Sequence, residues 1–330
     1  MTGTLLISRG EVERLLGPDL CIAAVEEAFR LLGEGKVPPP GILGMHAAEG
    51  SFHVKAGFLA LERPYFAAKL NANFPGNGAR HGLPTIQGAV LLSDASNGTP
   101  LAIMDSMSVT ALRTAAATAV AAKYLARPQC DTLLVVGCGG QAPAQLQALL
   151  RMRKPRRILA FDLDPGRAAT FAASRVKDVS VARDLAEAAR QSDIIVTCTT
   201  AKRAFLAPDM VRPGAFIAAV GADSEDKQEI DPRLMAGARV VTDVTDQACR
   251  IGDLRHAIEA GAMTRGQVHA ELAEVVAGLR PGREGEGEIV VFDSTGTGLQ
   301  DVAAAIAVYR KAIEENAGIR FSFSEGKAIA

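Results

Sequence analysis

The stretch DTLLVVGCGGQAPAQLQALL, Asp131 to Leu150, constrains the fold of this chain more than any other part of it. Leu133 to Val136 is a short apolar run with two valines, closed by glycine, which is the pattern of a buried strand. Gly137, Gly139 and Ala142 follow in G-x-G-x-x-A spacing, and a helix starts from about Gln141. The first glycine permits a tight turn, the second lets the backbone approach a pyrophosphate, and the small third residue lets helix and strand pack closely. Gly140 and Gln141 complete the turn, and the free N–H groups of the helix start point at the anion. A second strand-like run, RRILAFDLD, carries Asp162, 25 residues after Gly137. A carboxylate there accepts from ribose hydroxyls and repels a 2′-phosphate, so the cofactor expected is NAD(H) rather than NADP(H). A glycine-rich structural turn with a surface aspartate is the plainer alternative. Asp164, just before Pro165, suits a helix N-cap.

In most nucleotide-binding chains such a turn lies near the start, whereas here 130 residues precede Asp131. The chain of 330 residues is 48% apolar and 22% charged, enough for two domains with real cores. A net charge of −1 without a basic tract argues against nucleic acid as a partner. No apolar run is long enough to span a membrane and the N-terminus lacks a signal-peptide layout, so a cytoplasmic location is expected. Ser8 and Glu11 instead form a capping box. The five cysteines are scattered, with no metal-ligand spacing, so neither disulfides nor a metal are expected.

Helices are expected within residues 8–35, before PPPG breaks the chain. SFHVKAGFL, YFAAKLNANF, TIQGAVLLSD and TPLAIMDSM read as strands, the last two joined by ASNG as a hairpin. TALRTAAATAVAAKYLAR is an alanine-rich helix leading to the glycine turn. Strands near 133–137, 157–162, 179–182, 193–198, 215–221 and 239–243 then alternate with helical runs. That is the pattern of a doubly wound parallel sheet of the Rossmann type, an α/β fold. IVVFDSTGTGLQDVAAAIAVYRKAIEENAG adds a strand, a turn and a long helix. The expected division is a nucleotide domain at 119–296, and a discontinuous α+β domain made of 1–118 with 297–330.

GLPTIQGAVLLSDASNGTPLAIMDSMSVTALRTAAATAVAAKYLAR, the GCGGQA turn, AAVGADSEDKQEID and VFDSTGTGLQDVAAA together resemble the ornithine cyclodeaminase/mu-crystallin family. The likeness covers nearly the whole chain, and the TALRTAAA and VGAD-x-x-x-KQE blocks are specific to that family. It implies a homodimer in which the discontinuous domain builds the substrate pocket and the dimer interface. Members include cyclodeaminases, alanine-type dehydrogenases and imino-acid reductases, all acting on 2-amino or 2-imino carboxylates.

The chemistry of such substrates suits particular residues. Arg113, placed in the first turn of the TALRTAAA helix, offers a guanidinium fork and a helix N-terminus to one carboxylate, unless it is a surface arginine paired with an acid. Lys69 interrupts an apolar strand. The resemblance gives it a substrate-binding, imine-polarising role; an edge-strand lysine is the alternative. Asp223 follows the strand FIAAVGA at the carboxyl end of the sheet, where it exchanges a proton with the substrate nitrogen or else caps the next helix. Thr197, Thr199 and Val220, at strand ends of the nucleotide domain, are cofactor-contact candidates. Gln87, Asp293 and Thr295 are candidates for the pocket wall. His53 and Lys55 stand where many relatives carry MPA, and an arginine common upstream in the family is missing from PPPGILGMHAAEG. Lys55 is therefore read as a substitute carboxylate ligand, a ligand for a second substrate carboxylate, or a solvated strand lysine.

The expected activity is an NAD(H)-dependent oxidoreductase of a 2-amino or 2-imino acid, with Arg113 and Lys69 clamping the carboxylate and Asp223 handling the amine proton. The alternative is a cyclodeaminase, an ammonia-lyase in which NAD is recycled and a diamino acid closes to a cyclic product such as proline. A non-catalytic binding protein is a third class, against which the joint presence of Lys69, Arg113 and Asp223 speaks.

Overall fold

The computed structural model of the chain describes residues 3–174, 178–323 and 327–329. It divides into two compact units, Met1–Arg113 with Thr297–Ala330, and Thr114–Gly296.

The first unit is built on an eight-stranded sheet with the order Lys327–Ile329, Ile319–Ser322, Thr4–Ile7, Pro100–Asp105, Ile86–Asp94, Pro64–Asn73, Gly50–Ala60, Gly41–Ala47. Thr4–Ile7 pairs in parallel with Pro100–Asp105, while the run from Pro100–Asp105 out to Gly41–Ala47 is antiparallel. ASNG makes the hairpin expected of it, with Asp94 donating its N–H to the Thr99 carbonyl at 2.9 Å. Alternation along the long strands sorts their side chains by face. Lys55, Gly57 and Leu59 are buried together with Tyr65, Ala67 and Lys69. The intervening Phe52, Phe66 and Leu70 are exposed, and so are Leu43, Met45 and Leu91, which the register places on the same side.

The buried face packs against the helix Gly298–Glu314, which also lies against the helix Pro18–Gly33. The start of Gly298–Glu314 sits almost on the sheet backbone. A Cβ on Gly298 would stand 2.1 Å from the Ala56 carbonyl oxygen, and one on Gly57 would stand 2.7 Å from the Gly298 carbonyl. Only two glycines allow that approach, and it brings the first turn of the helix onto the strand that carries Lys55. The capping box at Ser8 is present: the Glu11 carboxylate accepts from the Ser8 N–H at 2.8 Å and from its hydroxyl at 2.7 Å.

The second unit holds a parallel eight-stranded sheet in the order Ala270–Glu271, Arg239–Thr242, Val290–Asp293, Phe216–Ala219, Ile194–Thr197, Thr132–Val136, Arg157–Phe161, Val179–Val181. The chain starts at Thr132–Val136, steps outward twice, then returns to pair Ile194–Thr197 on the other side of the first strand. That reversal is the switch point at which open α/β sheets leave a crevice for ligands. The core of this sheet is dense: Leu134, Ile195, Ile217 and Val291 are fully buried. Lys202–Leu206 and Gln228–Ile230 form a separate two-stranded parallel pair.

Two local expectations change. The helix carrying Arg113 begins at Ser106, not at Thr110, because Asp105 ends its strand and accepts the Ser108 N–H at 2.9 Å in capping position. Arg113 is therefore two turns inside the helix, and the helix N-terminus does not share its anion. Asp223 caps no helix: the strand Gln228–Ile230 comes next, and the following helix, Pro232–Ala236, is capped by Asp231. Asp164 does cap its helix, accepting from Gly166 and Arg167 with Pro165 at the first helical position. Among the described residues no helix is long and apolar enough to cross a membrane.

Candidate active site

The nucleotide end of the second unit follows from its glycine turn. Gly137 has φ 90°, and a Cβ there would stand 2.7 Å from Thr199 Cγ2, so both conformation and space require glycine. A Cβ on Gly139 would meet nothing within 4 Å, which leaves its backbone open to a ligand. Ala142 is fully buried at the start of the helix Ala142–Met152, as its place in the motif requires. Its N–H donates to the Gly139 carbonyl at 3.1 Å and Pro143 has none, so the helix start offers fewer free donors than one without proline. Asp162 closes the turn from the neighbouring strand end. One carboxylate oxygen accepts the Cys138 N–H at 2.8 Å and the other the Asp164 N–H at 2.9 Å. A cavity of about 600 Å³ opens here, lined by Gly137, Gly139, Asp162, Arg167, Thr199 and Phe205 among others. An open glycine backbone, a fixed carboxylate and apolar walls fit a dinucleotide.

Thr197 and Thr199 differ in what they can reach. Glu229, fully buried, accepts from the Thr197 hydroxyl at 2.6 Å, the Thr199 hydroxyl and N–H at 2.7 Å each, and the Gly221 N–H at 2.8 Å. Thr197 is itself completely buried, so its side chain is removed from the cavity wall, whereas Thr199 lines it. Val220 is buried and is not part of that wall; its N–H donates to the Thr197 carbonyl at 2.9 Å. Asp293 and Thr295 belong to a buried network. Asp293 accepts the Leu254 N–H at 2.8 Å, and the Thr295 hydroxyl donates to Asp243 at 2.7 Å. Burial, followed by the repulsion of Asp243, pushes the Asp293 carboxyl up to about 7. Asp223 is half exposed and pairs with Lys227 at 2.6 Å.

In the first unit, charge is concentrated where the core would be apolar. Lys69 is 2% exposed, Arg113 3% and Lys55 8%. One carboxylate, Asp301, joins the first two: its Oδ1 lies 2.9 Å from Lys69 Nζ and 2.9 Å from Arg113 Nε. Arg113 Nη1 donates to Gln300 Oε1 at 2.6 Å. Lys55 and Lys69 are direct register partners on neighbouring strands and share the buried face. Burial, then the charge of Arg113, draws Lys69 down to about 7 against the pull of Asp301. Burial raises the Asp301 carboxyl, but Lys69 and Arg113 outweigh it and hold it below its ordinary range. Gln87 falls outside this cluster. Its partner is Ala72 while that of Lys69 is Val90, so Gln87 lies on the opposite, exposed face of the sheet. His53 is two residues from Lys55 on the same strand, its Nε2 2.9 Å from Ser51 Oγ.

Sequence reasoning missed Asp301 and Gln300. Both sit in the first turn of the helix Gly298–Glu314, where an acid ordinarily serves the helix dipole. The available signal was a charged residue followed by an unbroken apolar run, VAAAIAV, which marks a helix buried on every side.

The family model that matches residues 3–316 is that of the ornithine cyclodeaminase/mu-crystallin family. The chain belongs to this family. Three solved members share its architecture over nearly their whole length. A dimeric archaeal alanine dehydrogenase with bound NAD is 37% identical with a TM-score of 0.93, covering 98% of this chain and 100% of that one. The Thermococcus litoralis Δ1-pyrroline-2-carboxylate reductase, in complex with NADH and L-proline, is 33% identical with a TM-score of 0.90, covering 96% and 99%. The Paracoccus denitrificans iminosuccinate reductase, in complex with NAD+, is 32% identical with a TM-score of 0.90, covering 98% and 100%.

As a family member, this chain places a buried, shared carboxylate among its cations, and that has a stability consequence. Asp301→Asn leaves buried positive charge uncompensated and is expected to destabilise by about 3–5 kcal/mol. Lys69→Met removes a buried cation and leaves the Arg113–Asp301 pair, so its Tm at neutral pH should equal or exceed that of the parent. Between about pH 7 and an ordinary lysine value of 10.5, the unfolded chain binds the Lys69 proton and the folded chain does not. The parent should therefore gain stability relative to Lys69→Met as pH rises through that window. Thermal scans across pH check both signs; a stable Asp301→Asn protein contradicts the shared-carboxylate role.

Proposed function

We propose that this protein is an NAD(H)-dependent oxidoreductase of a 2-amino or 2-imino carboxylic acid. The observation that carries the proposal is the buried Lys69–Arg113–Asp301 cluster, a cationic site inside a core that has no structural need of one. The three solved relatives are named for alanine, pyrroline-2-carboxylate and iminosuccinate, and these share a carboxylate next to an amine- or imine-bearing carbon.

When bound here, NAD(H) would supply the hydride that reduces the imine carbon, or accept it in the reverse direction. Gly137, Gly139, Gly140, Gln141 and Ala142 form the cradle for the pyrophosphate, and Asp162 takes the ribose hydroxyls, with Thr199 on the cavity wall. Arg113 and Lys69 hold the substrate carboxylate, Asp301 keeps both cations in place, and Lys69 polarises the imine. Asp223, oriented by Lys227, gives a proton to the forming amine or takes one from the ammonium.

The exposed apolar side of the first sheet, with Leu43, Met45, Phe52, Phe66, Leu70 and Leu91, supports a second copy of the chain as its cover. The proposed assembly is a homodimer. Sedimentation should give about twice the chain mass of 34.5 kDa, and Phe52→Asp with Leu70→Lys should shift it to monomer; a parent that sediments as a monomer refutes the assembly.

The activity is tested by following NADH absorbance and ammonia separately, with NAD+ and a panel of amino acids, then with NADH, ammonium and the matching 2-oxo acids. NADH and ammonia in equal amounts support the oxidoreductase. Ammonia and a cyclic imino acid without NADH would establish the cyclodeaminase instead, and tighter binding of NADPH than NADH would contradict the role of Asp162.

Asp223→Asn keeps size and hydrogen bonding but removes the basic site. The rate is expected to fall by about 10²–10⁴-fold, with NADH affinity and Tm near those of the parent and one limb of the pH–rate profile lost. Parental turnover with an unchanged profile would move proton transfer to Lys69 or water.

A further inference from the structure

Three carboxyls of the second unit are buried behind the nucleotide crevice with no cation to balance them. Glu229, Asp253 and Asp293 are each 0% exposed, and among the described residues none of them is in an ion pair. They are joined through the backbone. Asp293, at the end of its strand, accepts the Leu254 N–H at 2.8 Å and the Asp253 N–H at 3.3 Å, which fixes the start of the helix Asp253–Glu259. A Cβ on Gly252 would stand 2.6 Å from Asp293 Oδ2, so glycine is needed where that carboxyl is seated. Asp253 Oδ1 accepts the N–H groups of Glu229 and Ile230 at 2.8 Å each, which holds the strand Gln228–Ile230. Glu229 passes the constraint on to Thr197, Thr199 and Gly221. A Cβ on Gly221 would stand 2.4 Å from Glu229 Oε1, and Thr199 in turn packs on Gly137 of the glycine turn.

Three buried carboxyls without a cation cannot all be ionised, because each charge is desolvated and repelled by the others. Asp253 Oδ2 is buried with no hydrogen-bond partner among the described residues, and such an oxygen costs far more to bury ionised than neutral. The titratable groups that face the set from neighbouring elements are Asp243, Cys249 and Cys198, and none of them is a cation. Burial, then the repulsion of Asp293 and Glu229, pushes Asp253 well above the usual carboxyl range, and burial raises Glu229 as well. With Asp293 at about 7, the set gains negative charge as pH rises through neutrality.

We propose that Glu229, Asp253 and Asp293 form a proton-holding strut behind the crevice, and that dinucleotide binding is linked to a proton on it. Added charge at Asp293 pushes on Asp253 and Glu229, shifts Thr199 and Gly221 against the glycine turn, and repels the anionic pyrophosphate. The cofactor therefore binds best to the protonated strut. The inference concerns the cofactor alone and is independent of the substrate class proposed above.

Fluorescence titration of the full chain with NADH, from about pH 6 to about pH 9, tests it. The parent's affinity should fall by about 5–20-fold over that range, and calorimetry in buffers of different ionisation enthalpy should show proton uptake on NADH binding. Asp293→Asn keeps the shape of the neutral acid, so its affinity should stay within about twofold of the parent's acid-side value throughout. A parent with flat affinity and no proton uptake, or an Asp293→Asn protein with the parent's slope, overturns the proposal. Thermal scans give a second check. Between the ordinary carboxyl value of 3.8 and about 7, the folded chain holds a proton at Asp293 that the unfolded chain has released. The parent should therefore lose stability relative to Asp293→Asn as pH rises through that window. That loss without any slope in NADH affinity would make the carboxyls structural only and would also overturn the link. Should Asp293→Asn fail to fold, Asp253→Asn and the parent's own proton uptake decide.

Discussion

One carboxylate holds the first unit's chemistry together. Asp301 is drawn to Lys69 and Arg113 at equal distance, and without it the sheet and the helix that packs on it would press like charges into a dry core. The pair Gly57 and Gly298 makes this possible: by removing both side chains at the crossing point, it lets the helix start lie against the strand so that its first turn delivers Asp301 and Gln300. The same helix continues as apolar core. Stability and the proposed binding therefore draw on one element, and the cations depend on a partner more than 180 residues away in sequence from Arg113, a separation counted from the positions 113 and 301.

The nucleotide unit is organised differently. Strands and helices alternate through its first half, its sheet strands are short runs, mostly apolar, and its ligand crevice arises from topology. That is why its sheet was legible from the sequence almost strand by strand: local signals suffice where a strand is followed by its own helix, as at Thr132–Val136, Arg157–Phe161 and Val179–Val181. Thr132–Val136, Arg157–Phe161 and Ile194–Thr197 lie within a residue or two of where their apolar runs begin and end.

The first unit was less legible, for physical reasons. Thr4–Ile7 and Ile319–Ser322 are four residues each and are strands only because each finds a distant partner edge. Gly41–Ala47 has two glycines and follows three prolines, so its strand character comes from pairing with Gly50–Ala60. Lys69 and Arg113 stood out as cations in apolar surroundings and Lys55 as a departure from the family pattern, and the structure gathers them. Gln87 did not stay with them, since one residue of register decides which face a strand side chain takes. Asp301 escaped notice because an acid in a helix's first turn has an ordinary local explanation, and only the fold reveals that it is buried.

Glu229 ties two chain segments, Thr197 to Thr199 and Gly221, with four hydrogen bonds to one carboxylate. None of those bonds involves Asp162, Asp164 or Arg167, which stand at the other rim of the crevice. The floor of the nucleotide groove is thus fastened independently of the rim that carries Asp162, the residue proposed to meet the ribose. A chain built this way can change its cofactor by altering a few rim residues, in evolution or in the laboratory, while the strand ends beneath keep their positions.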